Sequence, residues 1–170
     1  MMEFVYAYAY FILYAFLGWV CEDLYCGIPA KKFINRGFFY GPYCPIYGVG
    51  ALLVLYPLLF VKDYPILVFI LGVLITSTLE YITSWVMEIL FKTRWWDYSK
   101  RFMNINGRVC LLNSTLFGIM SIVVVYIVHP VIQDIVLDIP LTALMSFLSA
   151  FTIGFGIDCV FTVLALLRRK

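Results

Sequence analysis

Five long apolar stretches, separated by short polar segments, dominate the pattern of the chain. They cover residues 3–21, 44–61, 64–91, 110–128 and 141–167. Each has the length that a helix needs to cross a hydrocarbon core about 30 Å thick. The pattern therefore predicts an all-α integral membrane protein with five transmembrane helices, forming a single polytopic domain over residues 1–170.

The segment after the first stretch fits neither a solvated loop nor a regular helix. Residues 33–48 combine three glycines and two prolines with many aromatic side chains. Glycine and proline interrupt helices, and non-helical backbone at membrane depth needs protein or water to satisfy its polar groups. We therefore expect a re-entrant or broken element here.

A weak internal repeat runs through the first four stretches. The pentapeptide G-W-V-C-E at 18–22 has a near copy, S-W-V-M-E, at 84–88, and the same offset of 66 residues pairs Cys44 with Cys110. Two helical hairpins in a parallel repeat, with the fifth helix outside it, would produce this pattern, which occurs in transporters. The alternative is a chance match in an aromatic-rich chain.

Composition and charge support the membrane assignment and add an orientation. The chain is 64% hydrophobic and 13% charged, whereas about a quarter of the residues in a soluble domain are charged. Lysines and arginines cluster after stretches one, three and five, and Lys62 alone lies on the other side. The positive-inside rule then predicts a multi-pass protein of the cell membrane, with its N-terminus outside and its C-terminus in the cytoplasm. Nothing in this distribution suggests nucleic-acid binding.

Glu80 and Asp158 are the ionisable residues farthest inside the apolar stretches. Each lies about 15 Å from the cytoplasmic end of its helix, at 1.5 Å per residue. Placing a charge at such a depth costs at least ~2.5 kcal/mol of free energy, so the group must be neutralised, paired or in contact with water. The two residues either handle a substrate or a proton, or serve as hydrogen-bonded structural links between helices.

Further polar candidates lie at the cytoplasmic helix ends. Glu22 and Glu88 end apolar stretches near Arg36, Arg94 and Arg108. Arginines there would hold an anionic head group that the carboxylates orient, or would form salt bridges that fix the loops. The remaining candidates for substrate binding are Asn35, Asp97 and Asn106.

Known catalytic and metal-binding patterns do not occur in the sequence. It has no Walker A motif, no H-E-x-x-H and no nucleotide-binding glycine loop, and its five cysteines and one histidine have no zinc-site spacing. We therefore predict no metal and no cofactor, and the balance lies against an enzyme.

Five motifs together resemble the CmpB family of type IV ABC-transporter proteins, which includes small vertebrate transmembrane relatives. The motifs are G-W-x-x-E at 18–22, N-R-G-F-F-Y-G-P-Y-C-P-I-Y-G at 35–48, E-Y-I-T-S-W-V-M-E at 80–88, W-W-D-Y-S at 95–99 and N-I-N-G-R at 104–108. The resemblance covers about residues 10–125. It implies a permease-like protein whose signature residues are Glu22, Asn35, Arg36, Gly37, Gly41, Pro42, Pro45, Glu80, Glu88, Trp96, Asp97, Asn106, Gly107 and Arg108.

Three functions fit these features. The first is a transport protein with a cytoplasm-facing polar site for an anionic or amphipathic substrate, working as a homodimer or with a separate ATPase subunit. The second is a membrane-embedded enzyme or lipid-handling protein that acts on a lipid head group. The third is a structural or accessory subunit. Membrane lipids are expected partners in each case.

Overall fold

The computed structural model describes residues 2–31 and 38–168, so the predicted site residues Asn35, Arg36 and Gly37 lie outside the described residues. The helices are α1 (Met2–Ala30), α2 (Pro45–Leu58), α3 (Pro65–Phe91), α4 (Leu111–Val123), α5 (His129–Asp138) and α6 (Leu141–Leu167). A π-helical segment, Val124–Val128, joins α4 to α5, and a 3₁₀ turn, Leu59–Val61, follows α2.

The prediction of an all-α membrane protein with five apolar helices is confirmed. Four continuous helices among the described residues are long and apolar enough to cross a membrane: Met2–Tyr25 within α1, α3, the α4–α5 helix and α6. The fifth, Pro45–Val61, is a shorter apolar helix, at the lower limit of the length that spans a bilayer.

Two helices extend beyond the predicted stretches. Helix α1 continues to Ala30, because Glu22 and Asp23 end the apolar run without breaking the helix. The α4 helix continues to Asp138 through Pro130. Proline removes one backbone donor from a helix, and the wider π turn ends two residues before Pro130, at Val128. A polar or proline residue therefore marks the end of an apolar stretch here, but not the end of a helix.

By backbone contacts the chain forms two compact units, residues 1–49 with 133–170 and residues 50–132. In the first unit, residues 38–44 are irregular and fold back onto α1, where the Cys44 amide donates to the Ala15 carbonyl at 2.9 Å. Ala15 lies midway along α1, so the chain returns to the middle of that helix before α2 begins. Residues 38–44 are thus a non-helical, broken element, and its depth in the membrane stays a prediction.

In the second unit, α3 and α4 pack closely through small residues. Gly72 lies against Ser121, so that a Cβ added at Gly72 would meet that side chain at 2.6 Å. Ser77 donates to Ser114 at 2.7 Å. Small residues let membrane helices approach closely and bond across the interface. The register also means that α3 continues past the first residue of α4 for about 16 Å, at 1.5 Å per residue.

A two-stranded hairpin lies beside this extension of α3. Strand β1 (Asn104–Ile105) pairs antiparallel with β2 (Val109–Cys110). Asn106, Gly107 and Arg108 connect them, and the Arg108 amide donates to the Ile105 carbonyl at 3.0 Å. The φ angles of Asn106 and Gly107 are 53° and 69°, the left-handed pair that a tight hairpin turn requires and that Asn-Gly favours. The Asn106-Gly107 pair is itself a hairpin signal in the sequence.

The boundaries of the elements follow the offset of 66 residues. Helix α2 begins at Pro45 and α4 at Leu111, and each follows a buried cysteine, Cys44 or Cys110. Both helices then depart from α geometry at nearly the same repeat position, after Leu58 and Val123. The offset of 66 residues therefore relates structural elements as well as amino-acid identities. The symmetry axis between the two helical hairpins stays a prediction.

Candidate functional site

Arg108 is the centre of a polar cluster in the second unit. Its Nη2 donates to Glu88 Oε2 at 2.6 Å and its Nη1 donates to Ser84 Oγ at 3.2 Å. The guanidinium carbon lies 5.7 Å from the centre of the Tyr81 ring, within the range of a cation–π contact. Since Ser84 and Glu88 are one turn apart on α3, a single side chain fixes the hairpin to that face of the helix.

A second arginine closes the outer edge of the cluster. Arg94 Nε donates to the same Glu88 oxygen at 3.0 Å, and its Nη1 donates to the Asn106 carbonyl at 3.3 Å. The Asn106 side-chain amide donates to the Tyr81 hydroxyl at 2.8 Å. Glu88 thus accepts from both arginines, and Asn106 connects the hairpin turn back to α3.

Glu80 is reached by a tyrosine from the loop. The Tyr98 hydroxyl donates to Glu80 Oε1 at 3.1 Å and accepts from Asn113 Nδ2 at 2.6 Å. Only 6% of Glu80 is exposed. Because Ser77 lies opposite Ser114, Glu80 is level with the first turn of α4. It therefore lies beside the beginning of a neighbouring helix, although its position along α3 alone suggested a place far from any helix end.

Asp97 supports the hairpin turn. Its Oδ1 accepts from the Ser99 hydroxyl at 2.5 Å and from the Ser99 amide at 2.9 Å. These two hydrogen bonds hold the pKa of Asp97 below its usual value. A Cβ added at Gly107 would meet Asp97 Oδ1 and Ser99 Oγ, each at 2.5 Å, so this turn needs glycine for space as well as for φ. Trp96 adds an indole bond to the Arg108 carbonyl at 2.9 Å.

The second unit brings together most of the predicted candidates, and their contacts are largely with one another. These residues are Glu80, Glu88, Asp97, Asn106 and Arg108, with Trp96 and Gly107. The Arg108 side chain is only 10% exposed. This arrangement holds the hairpin on α3, and the described geometry leaves the Arg108 guanidinium engaged with Glu88 and Ser84.

In the first unit, Glu22 has an equivalent but chemically different partner. The Tyr47 hydroxyl donates to Glu22 Oε1 at 2.6 Å, and the Tyr47 ring lies so close to Gly18 that no Cβ would fit there. Gly18 and Glu22 correspond to Ser84 and Glu88 under the offset of 66. In each unit, therefore, one side chain contacts two positions on consecutive helical turns. Arg108 contacts Ser84 and Glu88, and Tyr47 contacts Gly18 and Glu22.

Asp158 fastens residues 40–43 to α6. Its carboxylate accepts from the backbone amides of Tyr40 and Gly41 at 3.2 and 2.8 Å, from the Tyr43 hydroxyl, and from the Thr162 hydroxyl at 2.9 Å. Tyr43 also packs edge-on against Phe155, with ring centres 5.3 Å apart. Four donors thus compensate the Asp158 carboxylate, which holds residues 40–43 against the helix.

A groove of about 480 Å³ runs along α6 beside Asp158. Its wall is mainly apolar, with one carboxylate and one guanidinium. The lining residues are Tyr40, Gly154, Ile157, Asp158, Phe161, Leu164, Ala165 and Arg168. This volume lies within the range of about 300–1,000 Å³ that small-molecule sites occupy. Chemically, the groove suits a ligand with a long apolar part and a charged end.

Sequence reasoning missed the groove residues other than Asp158. The spacing of Gly154, Ile157, Phe161, Leu164 and Arg168, alternately three and four residues, predicts one helix face, but Arg168 was interpreted only as a determinant of orientation. No group of three His, Cys, Asp or Glu side chains within residues 2–31 and 38–168 has metal-binding geometry.

The fold and the comparisons define the class of the protein. Several apolar helices, with polar residues gathered at helix ends, make it a multi-pass all-α membrane protein. The chain belongs to the CmpB family, described as "Putative ABC-transporter type IV", whose model matches residues 9–163. The match thus extends beyond the recognised motifs across most of α6. No curated protein and no solved structure matches the chain.

Proposed function

We propose that the protein is a small permease-like transport protein that binds an amphipathic anion in the groove along α6. The groove is the observation that carries this proposal, because it combines an apolar wall with a terminal guanidinium. The family description, an ABC-transporter type, supports a transport role. The polar cluster of the second unit then serves to hold the hairpin in place.

The ligand lies with its apolar part along Ile157, Phe161 and Leu164, and its anionic end contacts Arg168. Arginine is suited to carboxylate and phosphate because its planar donors match their oxygens. Asp158 lies about 15 Å from Arg168 along the helix axis, at 1.5 Å per residue. Since four donors from the protein already surround Asp158, its role is to position the wall that Tyr40 forms.

The groove faces the cytoplasmic half of the membrane in this proposal. The lysines and arginines that follow α1, α3 and α6 favour an N-terminus outside and a C-terminus in the cytoplasm of a cell-membrane protein. Cysteines introduced at Lys62 and at Arg168 test the orientation. A membrane-impermeant maleimide added to intact cells should label K62C and spare R168C, and the reverse pattern would contradict the orientation.

A chain with five apolar helices is small for a permease, so we propose that it acts as a homodimer or with a separate ATPase subunit. The sequence contains no nucleotide-binding motif of its own. In mild detergent, the purified protein should run as a dimer or together with a protein that hydrolyses ATP. A chain that runs alone as a monomer would remove the basis for this partner.

Mass spectrometry of co-purified lipids and metabolites tests the substrate class. Ile157→Trp fills the groove, and Val160→Trp places the same bulk on an exposed position of α6 outside the groove lining. We expect an anionic amphiphile with the wild-type protein and with V160W, but not with I157W. Equal recovery from all three proteins would contradict the proposal.

A further inference from the structure

The tip of the hairpin segment exposes apolar and basic side chains together. Phe102, Met103 and Ile105 are 78%, 63% and 60% exposed. Lys100 and Arg101 precede them directly and are also exposed, and neither takes part in an ion pair with another described residue. We call residues 100–105 the tip.

The backbone holds the tip at the beginning of a membrane helix. The Leu111 amide, at the first residue of α4, donates to the Met103 carbonyl at 3.2 Å. Leu111 and Leu112 are themselves about half exposed, as expected where an apolar helix meets lipid. The apolar side chains of the tip therefore continue this lipid-facing surface at the level where the helix enters the membrane.

The tip is also held in a defined conformation. Met103 has a φ of 48°, which is uncommon for a residue other than glycine and persists where the surroundings enforce it. Asn104 Nδ2 donates to the carbonyls of Ser99 and Arg101 at 3.2 and 2.9 Å. These bonds fix the turn that presents the basic pair next to the exposed Phe102.

From this geometry we infer that the tip binds anionic phospholipid head groups of the membrane that the chain spans. Phe102 and Met103 lie among the head groups and upper acyl chains, where amphipathic surfaces insert. Lys100 and Arg101 contact the lipid phosphates and acidic head groups. Charge and position favour lipid over a soluble protein, because the apolar residues adjoin the lipid-facing start of α4.

Tryptophan quenching in vesicles tests this site. Phe102→Trp reports contact with lipid above the background of the parent chain. The protein is reconstituted into phosphatidylcholine with phosphatidylserine, and either one or the other lipid carries bromine on its acyl chains. The added tryptophan should be quenched, and more strongly by brominated phosphatidylserine than by brominated phosphatidylcholine.

Charge variants in the F102W background identify the source of the preference. Each basic residue near an anionic surface should raise the preference for phosphatidylserine over phosphatidylcholine about fivefold. Lys100→Gln together with Arg101→Gln should therefore lower this preference about 30-fold. The matched control is Lys62→Gln, which neutralises an exposed lysine beyond the other end of α3 and should keep the preference. If the double variant does not fold, each single variant should show the fivefold effect.

Any of three quenching results would overturn the inference. The added tryptophan is not quenched by either lipid, it is quenched equally by both, or K62Q lowers the preference as much as the double variant. Loss of a bound soluble protein from the double variant, with its lipid preference unchanged, would also overturn it and assign the tip to a protein partner. The groove along α6 is built from other residues, so these outcomes do not test the proposed substrate site.

Discussion

Removal of the Arg108 side chain should destabilise the protein by about 2 kcal/mol, although Arg108 lies in a turn and not within a helix. Losing one partner of a fully buried pair costs about 3–5 kcal/mol. Arg108 is nearly buried, but the Glu88 side chain is 34% exposed and keeps its bond to Arg94, so solvent and the second arginine reduce that cost. The loss at Ser84 adds an unsatisfied buried hydroxyl.

Matched variants separate this effect from a general loss of charge. Arg108→Lys should cost about 1 kcal/mol, because an ammonium group cannot reproduce the planar fork that reaches both Ser84 and Glu88. Arg94→Ala removes the more exposed ion pair of the same carboxylate and should cost about 0.5 kcal/mol. The expected order of stability is wild type, R94A, R108K and then R108A.

Equilibrium unfolding in mixed detergent micelles measures these free energies, and hydrogen exchange locates them. In R108A the amides of residues 104–110 should exchange faster, while those of the contact between α3 and α4 around Gly72 should change little. If R108A is no less stable than R94A, or if exchange of the hairpin is unchanged, Arg108 does not hold the hairpin on α3.

Three further predictions follow from the remaining contacts. Gly107→Ala should cost about 2 kcal/mol of unfolding free energy, since the turn needs a positive φ and space beside Asp97, whereas Gly156→Ala, which points into open space, should be neutral or slightly stabilising. Asp158→Asn should speed hydrogen exchange in residues 38–44, because an amide accepts through one oxygen only; unchanged exchange would contradict the fastening role. The lowered pKa of Asp97 means that its stabilisation is complete above the unfolded-state pKa and is lost as the pH falls through the folded value. The difference in melting temperature between wild type and Asp97→Asn should therefore be constant from neutral pH to about pH 5 and should disappear below about pH 4. A difference that does not depend on pH would show that the Asp97 carboxylate is not the stabilising group.

The helices could be predicted because apolar length is a local property of the sequence. Helix α6 begins and ends where the apolar stretch does, at Leu141 and Leu167. Helix α1 does not, because a run of hydrophobic residues reports contact with lipid and not the continuity of backbone hydrogen bonds. The same distinction explains why α5 extends the fourth helix beyond residue 128.

The candidate site could be predicted only in part, since its residues were clear and their pairing was not. The carboxylates Glu80, Glu88 and Asp158 stand out in an apolar chain. Their partners are tyrosines and arginines far away in sequence, such as Tyr98 for Glu80 and Tyr43 for Asp158. The sequence has thirteen tyrosines, and composition does not indicate which of them reaches a carboxylate.

Photolabelling with an alkyl phosphate tests most directly whether the groove along α6 is the substrate site. The probe carries a diazirine on its chain, and the purified wild-type protein is labelled with and without an excess of the unlabelled alkyl phosphate. We expect labelling between Gly154 and Ala165 that the excess ligand competes away, that is lost in Ile157→Trp and that is kept in Val160→Trp. Labelling that is spread over exposed positions of α3 as well, or that the excess ligand does not reduce, would contradict it.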